Sequence, residues 1–102
     1  MNVITRKRLR DFSAQHPDAA TALEQWYRVA DKAKWQSIRD VRLIFPHADA
    51  AEVASGHTVT VFNVGGNKYR LVTAIHYDTQ RLYVLRVLTH AEYDKGLWKE
   101  QL

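Results

Sequence analysis

The sequence predicts an α+β fold: a small antiparallel sheet, read as a three-stranded meander with a further short strand at the N-terminus, packed by two N-terminal helices and flanked by a C-terminal helix. Three observations carry this. Leu23, Trp26, Tyr27 and Ala30 recur at helical spacing in the first third of the chain. From Thr58 the apolar period changes to two, through runs rich in Val, Ile, Leu, Tyr and Phe. Gly65-Gly66-Asn67 and Asp78-Thr79-Gln80 then divide that stretch into three strands. With 102 residues the chain is read as one domain spanning 1–102, large enough for a modest core.

In chain order, Met1 to Ile4 reads as the short strand, and Thr5 as the N-cap of a helix from Arg6 to Gln15, with Ile4 and Leu9 placed as a hydrophobic staple. Pro17 ends that helix and suits the first turn of the next, so the two helices are expected to form an antiparallel hairpin. Ser37 to Leu43 reads as a short third helix, with Ser37 and Asp40 at capping-box spacing, and Pro46 closes it. His47 to His57 lacks periodicity and is expected to be a loop. Strands follow at Thr58–Val64, Tyr69–Tyr77 and Arg81–Leu88. The last two are apolar on both faces, so helices should cover one face and another element part of the other. Thr89 and Glu92 have capping-box spacing for a final helix continuing past Leu97 and Trp98 to the C-terminus.

Composition narrows the function classes. Lys and Arg number 15 against 11 Asp and Glu, a formal charge of +4, which favours an anionic partner, nucleic acid first. Cysteine is absent, which removes disulfide scaffolds, thiolate metal sites and cysteine nucleophiles. The start has charges without an apolar signal core, and no run reaches the ~18 residues of a membrane span, so a cytoplasmic protein without a membrane partner is expected. The five histidines show no ligand spacing such as His-x-x-x-His, and neither a metal nor a cofactor is expected.

The chemistry-bearing residues concentrate between Asn63 and Asp94. Alternation places Arg70, Val72, Ala74 and His76 on one face of the second strand of the meander, and Leu82, Val84, Arg86 and Leu88 on one face of the third. In a hairpin centred on Thr79, Arg70 falls opposite Leu88 and diagonal to Arg86, so both guanidinium groups are expected near the start of the last helix. His90 stands in the first turn of that helix and Tyr93 three residues on, hence on the same side. The helix start adds positive potential and free N–H groups that suit a phosphate. Such a gathering of cations, one histidine and one tyrosine without a metal cluster is the equipment of a metal-free ribonuclease.

The run Phe62-Asn63-Val64-Gly65-Gly66-Asn67-Lys68-Tyr69-Arg70-Leu71-Val72, followed by Tyr83-Val84-Leu85-Arg86-Val87-Leu88-Thr89-His90-Ala91-Glu92-Tyr93-Asp94, resembles the HigB family of toxins in the RelE superfamily. The likeness extends over nearly the whole chain. It implies an mRNA interferase of a type II toxin–antitoxin system, an endoribonuclease that cuts translated messages on the ribosome. It further implies a HigA-type helix-turn-helix antitoxin as inhibitor, with operator DNA met only through the antitoxin complex.

The reaction implied is attack by a ribose 2′-hydroxyl on the adjacent phosphate, which needs a base, a cation for the phosphoryl oxygens and an acid for the leaving oxygen. Arg70 matches the sheet arginine of the superfamily and is assigned to the phosphate, with Arg86 as a second candidate. His90 and Tyr93 are the candidate proton-transfer groups, and a histidine's titration near neutrality favours His90. Only Lys68 stands where superfamily members carry a lysine-rich segment, and it is read as a phosphate contact. Asn63 and Asn67 are either RNA contacts or ties within the hairpin. Arg6 and Arg8, in the charged first helix, are either a solvated face or an RNA contact.

Each catalytic assignment has a structural alternative. Arg70 and Arg86 could be ion-paired to Asp94 or Glu92, His90 could be bonded locally, and Tyr93 could pack on the sheet. The tryptophans read as core, with Trp35 the one to watch as a base-stacking platform. A non-catalytic module that blocks translation by occupying RNA or the ribosome is the competing function.

Overall fold

The meander forms the centre of the sheet. In the computed structural model, which describes residues 1–4 and 6–102, β1 is Asn2–Ile4, β2 Asp49–Glu52, β3 Thr58–Val64, β4 Tyr69–His76 and β5 Arg81–Thr89, in the spatial order β1-β5-β4-β3-β2. β1 runs parallel to β5, with Val3 beside Leu82, and the remaining pairs are antiparallel. The helices are α1 (Arg6–Gln15), α2 (Ala20–Lys32), α3 (Ile38–Ile44), α4 (His90–Lys95) and α5 (Leu97–Gln101), with a 3₁₀ turn at Pro17–Ala19 leading into α2. The N-cap expected at Thr5 lies outside the described residues.

Helices cover one face of the sheet. Leu9, Ala19, Leu23, Trp26 and Ala30 pack with Phe62, Leu71, Leu82 and Val84, all nearly or fully buried. Removing each large apolar side chain of this group from water contributes about 1.5–3 kcal/mol. Trp35 belongs here too, stacked near Phe62 at 6.2 Å and set edge-on to Phe45, so it is core and not a base platform. Only Leu9 is buried on α1, so its arginines stay at the surface. The opposite face carries Val59, Val61 and Val72, closed over by Trp98 with Tyr93, Leu85, Leu88 and Leu102 alongside. This is the second cover that the two-sided apolar strands require.

Four local expectations are corrected. The 47–57 segment contains β2, whose Asp49-Ala50-Ala51-Glu52 is mostly exposed and poor in strand formers. Its pairing to β3 holds it, and side-chain burial, the signal that alternation reads, contributes little. The C-terminal helix is broken at Gly96, which adopts φ +74°, caps α4 through its N–H on Tyr93 O, and turns α5 so that Trp98 reaches the sheet. Ser37 does cap the position before α3, but its side chain makes no cap bond, and Asp40 Oδ2 instead accepts from Gln36 N. A β-bulge also interrupts the β4–β5 ladder: Arg86 lies opposite Val72 while Val84 lies opposite Thr73. Leu82 and Val84 therefore join Leu71 and Ile75 on the helical face, instead of sharing a face with Arg70 and Leu88.

Candidate active site

Three local structures meet at one end of the sheet. The β3–β4 turn places Gly65, Gly66 and Asn67 at φ +64°, +61° and +74°, a run that glycine and asparagine adopt at low cost. Asn63 Nδ2 donates to Asn67 Oδ1 at 3.0 Å across the turn, so these two residues do tie the hairpin. Thr89 caps α4 with a reciprocal box, accepting from Glu92 N at 3.2 Å while Glu92 Oε1 accepts from Thr89 N at 3.0 Å. The third link docks one on the other: His90 N donates to Lys68 O at 2.9 Å. Two N–H groups that the sequence reading offers to a phosphate, those of His90 and Glu92, are thus used internally.

Arg70 sits at the open end of β4, opposite Leu88, the register that the hairpin count predicts. Its Nη1 donates to Asn67 O at 2.9 Å and Tyr69 O at 3.3 Å, and Nη2 lies 3.2 Å from His90 Nδ1. Its guanidinium carbon is 5.5 Å from the centre of the Tyr93 ring. No carboxylate pairs with it among the described residues: Glu92 is committed to the cap, and Asp94 pairs with His90 through Nε2···Oδ2 at 3.0 Å. The alternative of a structural ion pair on Arg70 therefore does not describe this site.

His90 thus stands between a cation and an anion. A guanidinium has no acceptor, so Nδ1 must accept from Arg70, and the ring proton resides on Nε2, donated to Asp94. Both side chains are more than half exposed, at 55% and 60%. Asp94 is the residue that sequence reasoning undervalued. The signal was there in its place four residues after His90, one helical turn on.

Tyr93 is partly covered. Its ring stacks on Trp98 at 5.2 Å, and burial, followed by the Asp49 carboxylate, pushes its phenol up from the ordinary range, with Arg70 acting the other way. A phenol is protonated at neutral pH without such a shift, which only reinforces the neutral form. Lys68 Nζ lies 3.8 Å from Asp18 Oδ2 in a loose exposed pair. Asp18 also accepts from Tyr69 OH at 2.7 and 2.8 Å; that bond chiefly holds its carboxyl below the usual range and the Tyr69 phenol above its own.

The structure does not bring the other candidates into this cluster. Arg86, at the bulge and opposite Val72, gives its Nη1 to Leu85 O at 2.7 Å and lines a shallow groove with Arg8, Asp11, Phe12, Gln15 and Val87. Arg6 lies over the Tyr27 ring at 4.1 Å, in a different groove between α1 and α2. The basic run of α1 therefore divides, Arg8 toward β5 and Arg6 toward α2. Among the described residues no three His, Asp or Glu side chains gather as metal ligands, and no helix is long and apolar enough to cross a membrane.

The cluster can bind an anion through Arg70 and exchange a proton at His90. The chain is also similar to known proteins. A family model described as HigB_toxin, the RelE-like toxic component of a toxin-antitoxin system, matches residues 19–96. The chain is 33% identical over 94 residues to the mRNA interferase toxin HigB of Escherichia coli K12, covering 92% of this chain and 88% of that protein. The mRNA interferase HigB of Shigella flexneri matches to the same extent, and that of Escherichia coli O6:H1 is 30% identical over 95 residues, 93% of this chain and 90% of the relative. A family model covering most of the chain and relatives aligned along nearly all of it place this protein in the HigB family of toxins.

Proposed function

We propose that this HigB-family toxin is an mRNA interferase, an endoribonuclease that cuts messages on the ribosome in the cytoplasm and is neutralised by a HigA-type antitoxin. The observation that carries the reading is the exposed contact between Arg70 and His90, a cation without a carboxylate partner set against a titratable base. Arg70 binds the scissile phosphate through its planar fork and offsets the charge that builds on the phosphoryl oxygens, so the scheme needs no metal ion. His90 takes the proton of the 2′-hydroxyl. Displacement at phosphorus runs roughly in line, with base and acid on opposite sides, so a second group serves the leaving 5′ oxygen. Tyr93, a phenol at neutral pH with Arg70 5.5 Å from its ring centre, is the donor we assign.

Lys68, Asn63 and Asn67 contact the RNA around the turn, and Arg8 with Arg86 contacts its backbone along α1. The Lys68–Asp18 pair is exposed and weak enough to exchange Asp18 for a phosphate. Operator DNA is reached only through the antitoxin complex.

The test is RNA 5′-end mapping after induction, repeated with purified toxin, ribosomes and message with and without EDTA. New ends that form equally with EDTA, and vanish with Arg70→Ala and His90→Ala, are expected. Full cleavage by both variants would place the site elsewhere, and a translation block with intact RNA would point to inhibition by occupancy.

A further inference from the structure

Both nitrogens of His90 are occupied within the protein, which constrains how it can act as a base. Nε2–H is held by Asp94 Oδ2 at 3.0 Å, and Nδ1 faces Arg70 Nη2 at 3.2 Å. The two partners differ in freedom. Asp94 is one turn further along the same helix and moves with His90, whereas Arg70 is on β4 and is the group a phosphate would attract.

We propose that Asp94 is the positioning residue of this site, holding the His90 proton on Nε2, and that Nδ1 becomes the proton acceptor when the Arg70 guanidinium moves from the imidazole to the RNA phosphate. The inference rests on the ribonuclease reading above. In the resting protein Arg70 masks the base. When the guanidinium engages the phosphate, the Nδ1 lone pair is uncovered beside the group that has just been bound. The 2′-O–H bond then breaks with its proton passing to Nδ1, and the 2′ oxygen bonds to phosphorus. The P–O5′ bond breaks, and the 5′ oxygen leaves with the phenolic proton of Tyr93. The products are a 2′,3′-cyclic phosphate and a 5′-hydroxyl, and exchange with water returns His90 and Tyr93 to their starting forms. Asp94 stabilises the imidazolium during this step without itself taking a proton.

The charged groups facing His90 are Arg70 from β4 and Asp94 from α4, with Lys68 contributing its carbonyl oxygen from the turn. Asp94→Asn removes the carboxylate that accepts from Nε2–H, so the ring is no longer held in one tautomer with Nδ1 free to accept. At the optimum the rate falls about 10- to 100-fold, part of the ~10²–10⁴ that a placed base supplies. Binding of a message with a 2′-deoxy sugar at the cleavage position stays within about twofold, because Arg70 is untouched.

The measurements are single-turnover cleavage by the full-length toxin on ribosomes for wild type, Asp94→Asn and Asp94→Glu, and ¹⁵N NMR of the His90 ring in the wild type and Asp94→Asn. Support consists of the Asp94→Asn rate loss, partial recovery in Asp94→Glu, and an Nε2–H ring in the free wild type that gives way to a mixture of tautomers in Asp94→Asn. A wild-type His90 protonated on Nδ1, or Asp94→Asn cleaving at the wild-type rate, overturns the proposal. If His90→Ala also retains full activity, the ribonuclease site itself is misplaced; if only His90→Ala and Arg70→Ala are inactive, that site stands and Asp94 has no part in it.

Discussion

Replacing Arg70 with lysine separates the charge of this residue from its shape. Arg70 spans three acceptors with two nitrogens: Nη1 reaches Asn67 O and Tyr69 O, and Nη2 reaches His90 Nδ1. A lysine ammonium keeps the unit charge but has no fork, so it cannot serve the turn carbonyls and a phosphate in a fixed plane together. Loss of one preorganised donor to a developing oxyanion costs ~10²–10³ in turnover, or about 2.7–4 kcal/mol of barrier. Stability should fall only modestly. The two carbonyl contacts are at least partly open to water, so their loss is worth about 1 kcal/mol at most, equivalent to about 4–8 °C for a domain of this size. Single-turnover cleavage on ribosomes, paired with a thermal melt, reads both quantities. An Arg70→Lys variant that cleaves within tenfold of wild type refutes the argument for a planar fork. A fall in Tm beyond about 10 °C with proportional activity loss shows that Arg70 is structural.

Four further outcomes follow from the same geometry. Arg86→Ala should weaken RNA binding with a reduced salt slope and leave the cleavage rate of bound message within a fewfold, whereas a collapse of that rate returns Arg86 to the catalytic group. Trp98→Ala, which uncovers Val59, Val61 and Val72, should cost about 3–5 kcal/mol by denaturant unfolding. Gly65→Ala places a Cβ 3.2 Å from the Tyr69 ring at φ +64° and should cost about 1–2 kcal/mol, read as a lower unfolding midpoint. Asp18 titrates below its ordinary 3.8 in the folded protein, so its bond with Tyr69 stabilises the fold above that pH and is lost as pH falls through the lowered value. Tyr69→Phe should therefore flatten the acid limb of the stability profile, and an unchanged limb would show that other carboxylates set it.

The parts of this fold legible in the sequence are those that local chemistry decides. The meander follows from alternation and turn residues, and its count placed Arg70 opposite Leu88 as found. The Thr89–Glu92 box forms because both partners lie within one turn. β2 was not legible, since Asp49-Ala50-Ala51-Glu52 carries no strand preference and is recruited by the free edge of β3. The bulge was not legible either. Its effect was to set Leu82 and Val84 on the helical face, because a single extra residue changes which face every preceding side chain on the strand occupies.

The candidate site shows why motifs alone assign roles imperfectly. The glycine turn, the sheet arginine and the capped helix are each readable in isolation, yet the chemistry depends on how they dock. That docking combines the β4–β5 ladder, which sets Thr89 beside Tyr69, with one main-chain bond, His90 N to Lys68 O, which no side-chain pattern encodes. Together they hold the first residue of α4 against the hairpin, with Nδ1 within reach of Arg70. The same bond takes one N–H group at the start of α4 to position the helix, and the cap takes another. In the proposed reaction the charge that meets the phosphate is carried by a side chain, Arg70, and its departure from the imidazole would couple binding of the RNA to release of the base.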